Sequence, residues 1–420
     1  MKKLLHWAPV ILILLGLTAR APAPGYAQEH SQAGAEFASG PSNPEAIQAS
    51  GHSGVGPDDF PPGANPLTGE IAGDVDLLKL PPAMISITNF PVSARPQAGL
   101  SFSPYVFELY IGEGTTRFLA LFYGSYPSAS SNNQGASGFE PTDAAIGPVR
   151  SGRLPYESLR NLYNGFLVMA GASADVGARL NASTTVYGSD SDDINSALIA
   201  VTRLERIARA NQKAQTRELN LTANRFEEAV PAGGEQAKEA WVFYNYLNQI
   251  NWVYDRATGA YLRFQDKADG SGKFHPSTDR LTGKQLAFEN VVVLFADHQA
   301  LTRTIIDIDL MYTIRPALLF RDGKVYRIFW STLNGEYEKK TGRLRPIRFV
   351  DAKGKPFPLK PGQTWVEIVT SNTTVQEIAD SEWKVRFYAP QRSILRKSFP
   401  GFRFFFNQML GQEDIREFHE

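Results

Sequence analysis

The chain has 420 residues, no cysteine, and 43 Lys and Arg set against 43 Asp and Glu, for a formal net charge of zero. Lack of cysteine excludes disulfides, thiol nucleophiles, cysteine-bound zinc and a lipid-bearing cysteine, and zero net charge leaves no global field to draw nucleic acid or an anionic membrane. The length suits two ordinary domains of about 100 to 200 residues each.

The N-terminus reads as an export signal. Lys2 and Lys3 precede an apolar run over residues 4–17, interrupted only by His6 and Pro9, which is the n-region and h-region pattern of a signal peptide. The run is shorter than the roughly 20 apolar residues a spanning helix needs, and Arg20, Pro22 and Pro24 close it. Cleavage after Gly25-Tyr26-Ala27 makes residues 1–27 the signal peptide, with Ala21-Pro22-Ala23 as the alternative site and an uncleaved anchor as the alternative fate. Residues 28–64 are rich in Gly, Ala, Ser and Pro and poor in large apolar side chains, which predicts a flexible spacer.

Residues 65–230 form the first predicted domain, an α/β layer. Residues 83–87, 117–123 and 165–169 are near-continuous apolar runs bounded by Gly, Pro or Asn, the pattern of strands covered on both faces. Pro155 suits the first position of a helix. Ile194, Leu198, Val201, Leu204 and Ile207 recur at helical spacing, with Ser191 or Asp192 as the cap. The polar stretch over residues 126–141 reads as a loop. Pro231-Ala232-Gly233-Gly234 marks a break.

Residues 235–370 form a second, mainly β domain. Trp252-Val253-Tyr254-Asp255 and Tyr261-Leu262-Arg263-Phe264 flank a turn at residues 256–259, and residues 317–320 and 325–330 flank Asp322-Gly323, a favoured hairpin dipeptide. Residues 291–295 and 305–310 add strands. Residues 371–420 read as an extension with a strand near 383–388 and an aromatic, basic tail at 399–406. The overall expectation is an α+β multi-domain chain. Membrane contact is expected only through an uncleaved signal segment or that tail.

The stretch Ile85-Ser86-Ile87-Thr88-Asn89-Phe90-Pro91, followed by Ala94-Arg95-Pro96-Gln97-Ala98-Gly99-Leu100, resembles the YerB-like bacterial envelope proteins, whose two domains have no assigned function. The resemblance continues through Phe107-Glu108, residues 113–122, and Ile146-Gly147-Pro148-Val149-Arg150-Ser151-Gly152-Arg153. It extends to Tyr254-Asp255, Tyr261-x-Arg263, residues 290–293 and Gly362-Gln363-Thr364-Trp365. It implies an envelope location and a two-domain architecture over residues 65–370. Members of that family are typically lipoproteins, which this cysteine-free chain cannot match. The resemblance also implies a histidine where this chain has Met169, ahead of Ala170-Gly171-Ala172-Ser173.

Arg150, Ser151 and Arg153 sit in a glycine-flanked turn ahead of the Pro155 helix, where guanidiniums and backbone N–H groups can converge on an anion. Arg117 and Arg95 are the expected additional cations, and Glu113 the neighbouring acid. These six residues are the candidate ligand site, for an anionic cell-envelope ligand or an envelope protein. The competing reading pairs the arginines with Glu108 and Glu113. An alternative enzyme reading, on cell-wall glycan or a phosphate-linked precursor, uses the arginines as a clamp and Glu113 or Glu108 as base. No catalytic residue is assigned, and no metal or cofactor is expected. His275 with Asp266, Asp269 and Asp279, and Asp297-His298 with Asp307 and Asp309, have spacings better suited to hydrogen-bonded turns and exposed strand faces than to ligation. Phosphate-loop, dinucleotide, serine-elbow and zincin signatures are absent.

Overall fold

The computed structural model describes residues 54–127, 144–188, 197–215 and 219–391. The expected signal peptide, most of the polar loop, the proposed cap at Ser191 or Asp192 and the aromatic tail lie outside the described residues. The described chain is mostly β, built on two large sheets.

The first sheet has 11 strands. In spatial order they are Arg348–Val350, Lys324–Ser331, Ile314–Arg321, Asn290–Ala296, Thr364–Thr370, Tyr105–Gly112, Thr115–Phe122, Ala83–Thr88, Phe166–Met169 and Ser183–Thr185, with Glu235–Gln236 paired to Lys324–Ser331. Both halves of the sequence contribute. Tyr105–Gly112 runs parallel to Thr364–Thr370, which runs parallel to Asn290–Ala296. The second sheet has seven strands, with Ala260–Asp266, Asn248–Asp255, Glu239–Asn245, Glu382–Arg386 and Thr374–Ala379 in succession.

The apolar runs are continuous because the first sheet is covered on both faces. On one face Trp365 meets Trp252 of the second sheet at 5.4 Å between ring centroids, and Phe320 meets Tyr261. On the other, Tyr105 and Phe107 pack on Tyr163 at the end of the helix Pro155–Leu162. Trp252, Trp330 and Trp365 are fully buried, and burying a large apolar side chain contributes about 1.5–3 kcal/mol. The Asp322-Gly323 turn has φ of 55° and 70°, positive at both central positions as a tight hairpin joining twisted strands requires.

Four expectations change. The α/β layer of the first half reduces to one edge of the sheet, where Phe166–Met169 pairs in parallel with Ala83–Thr88 across the helix Pro155–Leu162 and with Ser183–Thr185 across the short helix Ala174–Gly177. Thr115–Phe122 pairs antiparallel with strands on both sides. The second helix begins at Val201, because Ile199–Ala200 is extended and pairs with Ala145–Ile146. Within the expected spacer, residues 54–64 belong to the fold. Val55 and Phe226 exchange two backbone hydrogen bonds of 2.8 Å, and Phe60 packs edge-on against Phe226. Within the expected extension, Thr374–Ala379 and Glu382–Arg386 form a hairpin that pairs in parallel with Glu239–Asn245. Trp383 and Val385 are buried at alternate positions there, so those residues complete the second sheet.

Candidate functional site

Of the strand Ala83–Thr88, only residues 83–85 pair with Phe166–Met169. The rest of that edge is taken by residues 147–150. Ile87 bridges Val149, Thr88 N–H donates to the Pro148 carbonyl at 2.9 Å, and Arg150 N–H donates to the Ser86 carbonyl at 2.8 Å. The chain then turns through Ser151 and Gly152 into the helix that Pro155 opens. Gly152 N–H is held by the Gly171 carbonyl at 2.9 Å. A Cβ on Gly152 would meet the ends of the Leu180 and Met169 side chains, which would have to shift to admit it. Met169 thus lies against the arginine turn.

Arg117 reaches this turn from the adjacent strand, where it is opposite Thr88. Its Nη1 donates to the Ser151 carbonyl at 3.1 Å. Arg153 Nη1 donates to the carbonyls of Ser151 at 3.4 Å and Gly152 at 2.9 Å. Ser86 Oγ donates to the same Ser151 carbonyl at 3.1 Å, and Tyr156 OH lies 3.2 Å from Ser86 Oγ. The Nε atoms of Arg117 and Arg153 are buried without a hydrogen-bond partner. Arg117, Arg150 and Arg153 make no ion pair with any carboxylate among the described residues. Burial first, and Arg153 next, push Arg117 down to about 9. Burial and Arg153 also lower Arg150. Both remain cationic at neutral pH. Four of the six candidates, Arg117, Arg150, Ser151 and Arg153, therefore come together.

Glu113 and Arg95 do not join them. Glu113 sits in the tight turn between Tyr105–Gly112 and Thr115–Phe122 with φ of 51°, and its carboxylate pairs with the exposed Arg303 at 2.5 Å. Arg95 turns toward the second half. Its Nε donates to the Asn89 carbonyl at 3.1 Å, its Nη1 donates to the Asp266 carbonyl at 3.2 Å, and its guanidinium lies over Phe90. Burial pushes it down to about 10.

Glu108, the other acid set against the arginines, is taken elsewhere. It is fully buried between the two sheets, with Oε2 accepting from Arg263 Nη2 at 3.0 Å and Oε1 from Thr116 Oγ1 at 2.6 Å. Arg263 is enclosed by Phe118, Trp252 and Trp365, with its guanidinium carbon 4.7 Å from the Trp365 ring centroid. Glu367 stands beside Glu108 on the neighbouring parallel strand. It accepts from Tyr244 OH at 3.0 Å and Trp252 Nε1 at 3.1 Å. Burial, then the Glu108 charge, push Glu367 up to about 8. Two carboxyls thus face one guanidinium, and the second is neutralised by a proton. Sequence reading missed this cluster. Its one signal was Arg263 alternating with Tyr261 on the inward face of a strand.

The remaining candidates are structural. Asp279 accepts from the backbone N–H groups of Gly99, Ser101 and Leu281 and from Ser101 Oγ. Arg315 bridges Asp297 at 2.8 Å and Asp309 at 3.2 Å. His298 is half-buried with Nδ1 2.9 Å from the Ala296 carbonyl. Among the described residues no group of three or more His, Asp or Glu side chains is placed to hold a metal, and no helix is long and apolar enough to cross a membrane. An open groove of about 400 Å³ begins one residue past Arg153, between Leu154, the helix Ala174–Gly177 and the turn carrying Leu301 and Ile305.

This architecture defines a protein of two interlocked β-rich halves with an arginine turn at a strand edge, and comparison with known proteins places it. Residues 67–232 match the N-terminal domain, and residues 241–366 the C-terminal domain, of the protein family of unknown function DUF3048. The chain belongs to this YerB-like family. It is similar to the Bacillus subtilis (strain 168) protein named "Putative lipoprotein YerB", with 27% identity over 321 residues, 72% of this chain and 85% of that protein. The crystal structure of YerB from Bacillus subtilis superposes with a TM-score of 0.56 at 25% identity, covering 73% of this chain and 96% of that one.

Proposed function

We propose that the protein is an exported cell-envelope module that binds an anionic envelope ligand, or a partner presenting one, without chemical turnover. The observation that carries this reading is the set of three guanidiniums, Arg117, Arg150 and Arg153, gathered on one turn with no carboxylate partner among the described residues. Uncompensated buried charge is costly, and Arg117 is almost wholly buried with an unpartnered Nε. A bound anion offsets that cost. The envelope setting is supported by the signal-like N-terminus and by the relative named as a lipoprotein. The finer layering, an α/β first domain before a β second one, is supported by the two parallel pairings of Phe166–Met169, with Ala83–Thr88 and with Ser183–Thr185.

The enzyme alternative finds less support. Of its two candidate bases, Glu108 is sealed in the core against Arg263 and Glu113 is paired with Arg303. The test is calorimetric titration of the full chain with pyrophosphate and with muropeptide fragments, compared with Arg150→Ala. The Arg150 side chain makes no hydrogen bond among the described residues, and its backbone bonds to Ser86 and Ala170 do not depend on the side chain, so its truncation leaves the fold intact. We expect at least a tenfold loss of affinity, from the loss of a charge-assisted contact of about 1.5–3 kcal/mol. Unchanged affinity in the variant would remove the site assignment.

A further inference from the structure

Resting on the anion-binding reading above, we infer that the arginine turn is built for a phosphoryl group, a phosphate monoester or pyrophosphate carrying two or more negative charges, and not for a lone carboxylate.

The first argument is charge. Three cations converge, and one carboxylate would leave two of them uncompensated. A phosphate monoester carries about −1.5 to −2 at neutral pH, and a pyrophosphate carries more. Ligands of that class come closest to neutralising the site.

The second argument counts donors. The Ser151 carbonyl accepts from Arg117, Arg153 and Ser86 together, although a carbonyl oxygen has only two lone pairs. Donors already outnumber acceptors at this spot. Three guanidiniums offer about fifteen N–H groups, and the described structure engages only Nη1 of Arg117 and Nη1 of Arg153. A carboxylate presents two oxygens in one plane. A phosphoryl group presents three oxygens around a tetrahedral centre, so it can meet guanidiniums arriving from different directions.

The directions do differ. Arg117 comes from the strand Thr115–Phe122, and Arg150 and Arg153 come from the turn on the far side of Ala83–Thr88. The guanidiniums thus approach from two separate elements rather than as a single planar fork.

The ligand could be free pyrophosphate or a lipid-linked pyrophosphate, and the test separates these sources. Full-length protein is titrated with inorganic pyrophosphate, with N-acetylmuramic acid as the carboxylate probe, and with a polyprenyl pyrophosphate in detergent micelles, each against wild type and Arg150→Ala. The expected result is pyrophosphate binding at least tenfold tighter than N-acetylmuramic acid, weakened at least tenfold by Arg150→Ala. A raised melting temperature with pyrophosphate, absent in the variant, is the second readout. Similar affinity for the free and micellar pyrophosphates supports recognition of the phosphoryl group itself. Tighter binding of the micellar ligand also supports it and assigns the lipid-linked source. N-acetylmuramic acid binding as tightly as pyrophosphate overturns the phosphoryl inference while leaving an anion site standing. Pyrophosphate failing to bind while the micellar ligand binds also overturns it. If no probe binds, both readings fall.

Discussion

Glu108 and Arg263, 155 positions apart in sequence, form an ion pair of 3.0 Å sealed between the two sheets, with side chains 0% and 2% exposed. The pair ties the strand Tyr105–Gly112 to the strand Ala260–Asp266. Removing one partner leaves a buried charge without compensation, at a cost of about 3–5 kcal/mol. Arg263→Met is therefore expected to lower the urea midpoint sharply. Adding Glu108→Gln to it should recover a substantial part. A single variant as stable as wild type would show that the pair is not closed in solution.

The proton on Glu367 makes stability depend on pH. Its folded value of about 8 lies above the ordinary carboxyl value of 4.5 because of burial, then Glu108. Between those two values the folded state binds more protons than the unfolded state, so this group's contribution is full below about pH 4.5 and is lost as pH rises toward 8. Glu367→Gln keeps the shape and removes the titration. Urea unfolding at pH 5 and pH 8 should show a smaller loss over that interval in the variant. Equal slopes would mean that Glu367 is ionised throughout.

Asp279 anchors the Gly99 to Ser101 segment of the first half to the second half through its hydrogen bonds. Bonds to a charged acceptor contribute about 1.5–3 kcal/mol each, although they do not add fully. Asp279→Ala is expected to cost at least about 3 kcal/mol, and Asp279→Asn roughly half of that. A loss below 1 kcal/mol for the alanine variant would contradict the anchoring role.

Two glycines give opposite expectations. Gly112 has φ of 107°, and a Cβ there would strike the Arg303 carbonyl, so Gly112→Ala should cost about 1–3 kcal/mol or more. Gly73 has nothing within 4 Å of a Cβ, and Gly73→Ala should be neutral or stabilising by up to about 1 kcal/mol. Thermal melts of the two variants would show the contrast, and equal shifts would refute it.

Much of the strand content was legible because local rules govern it. The run around residues 83–88 is apolar throughout since both faces are covered, and Asp322-Gly323 demands its own turn. The arginine turn was legible for the same reason, since Gly152 and Pro155 mark a close approach and a helix start within a few residues. What sequence could not show was partnership across distance. Whether Arg117 meets Glu108 or Ser151 depends on which strands pair and in what register, and a shift of one residue exchanges the faces. Residues 374–386 read as an extension because their outward positions are polar. Only the pairing with Glu239–Asn245 shows that Trp383 and Val385 belong to the core.

That shared central sheet also sets an order of events during synthesis. Tyr105 lies beside Thr364, 259 residues later in the chain, so the middle of the sheet cannot close until the chain is nearly finished. Long-range pairing of this kind is slow and leaves strand edges open in the interim. Were the chain exported as proposed above, such a delay would be an advantage, since the first half could not complete its sheet while the second was still in transit.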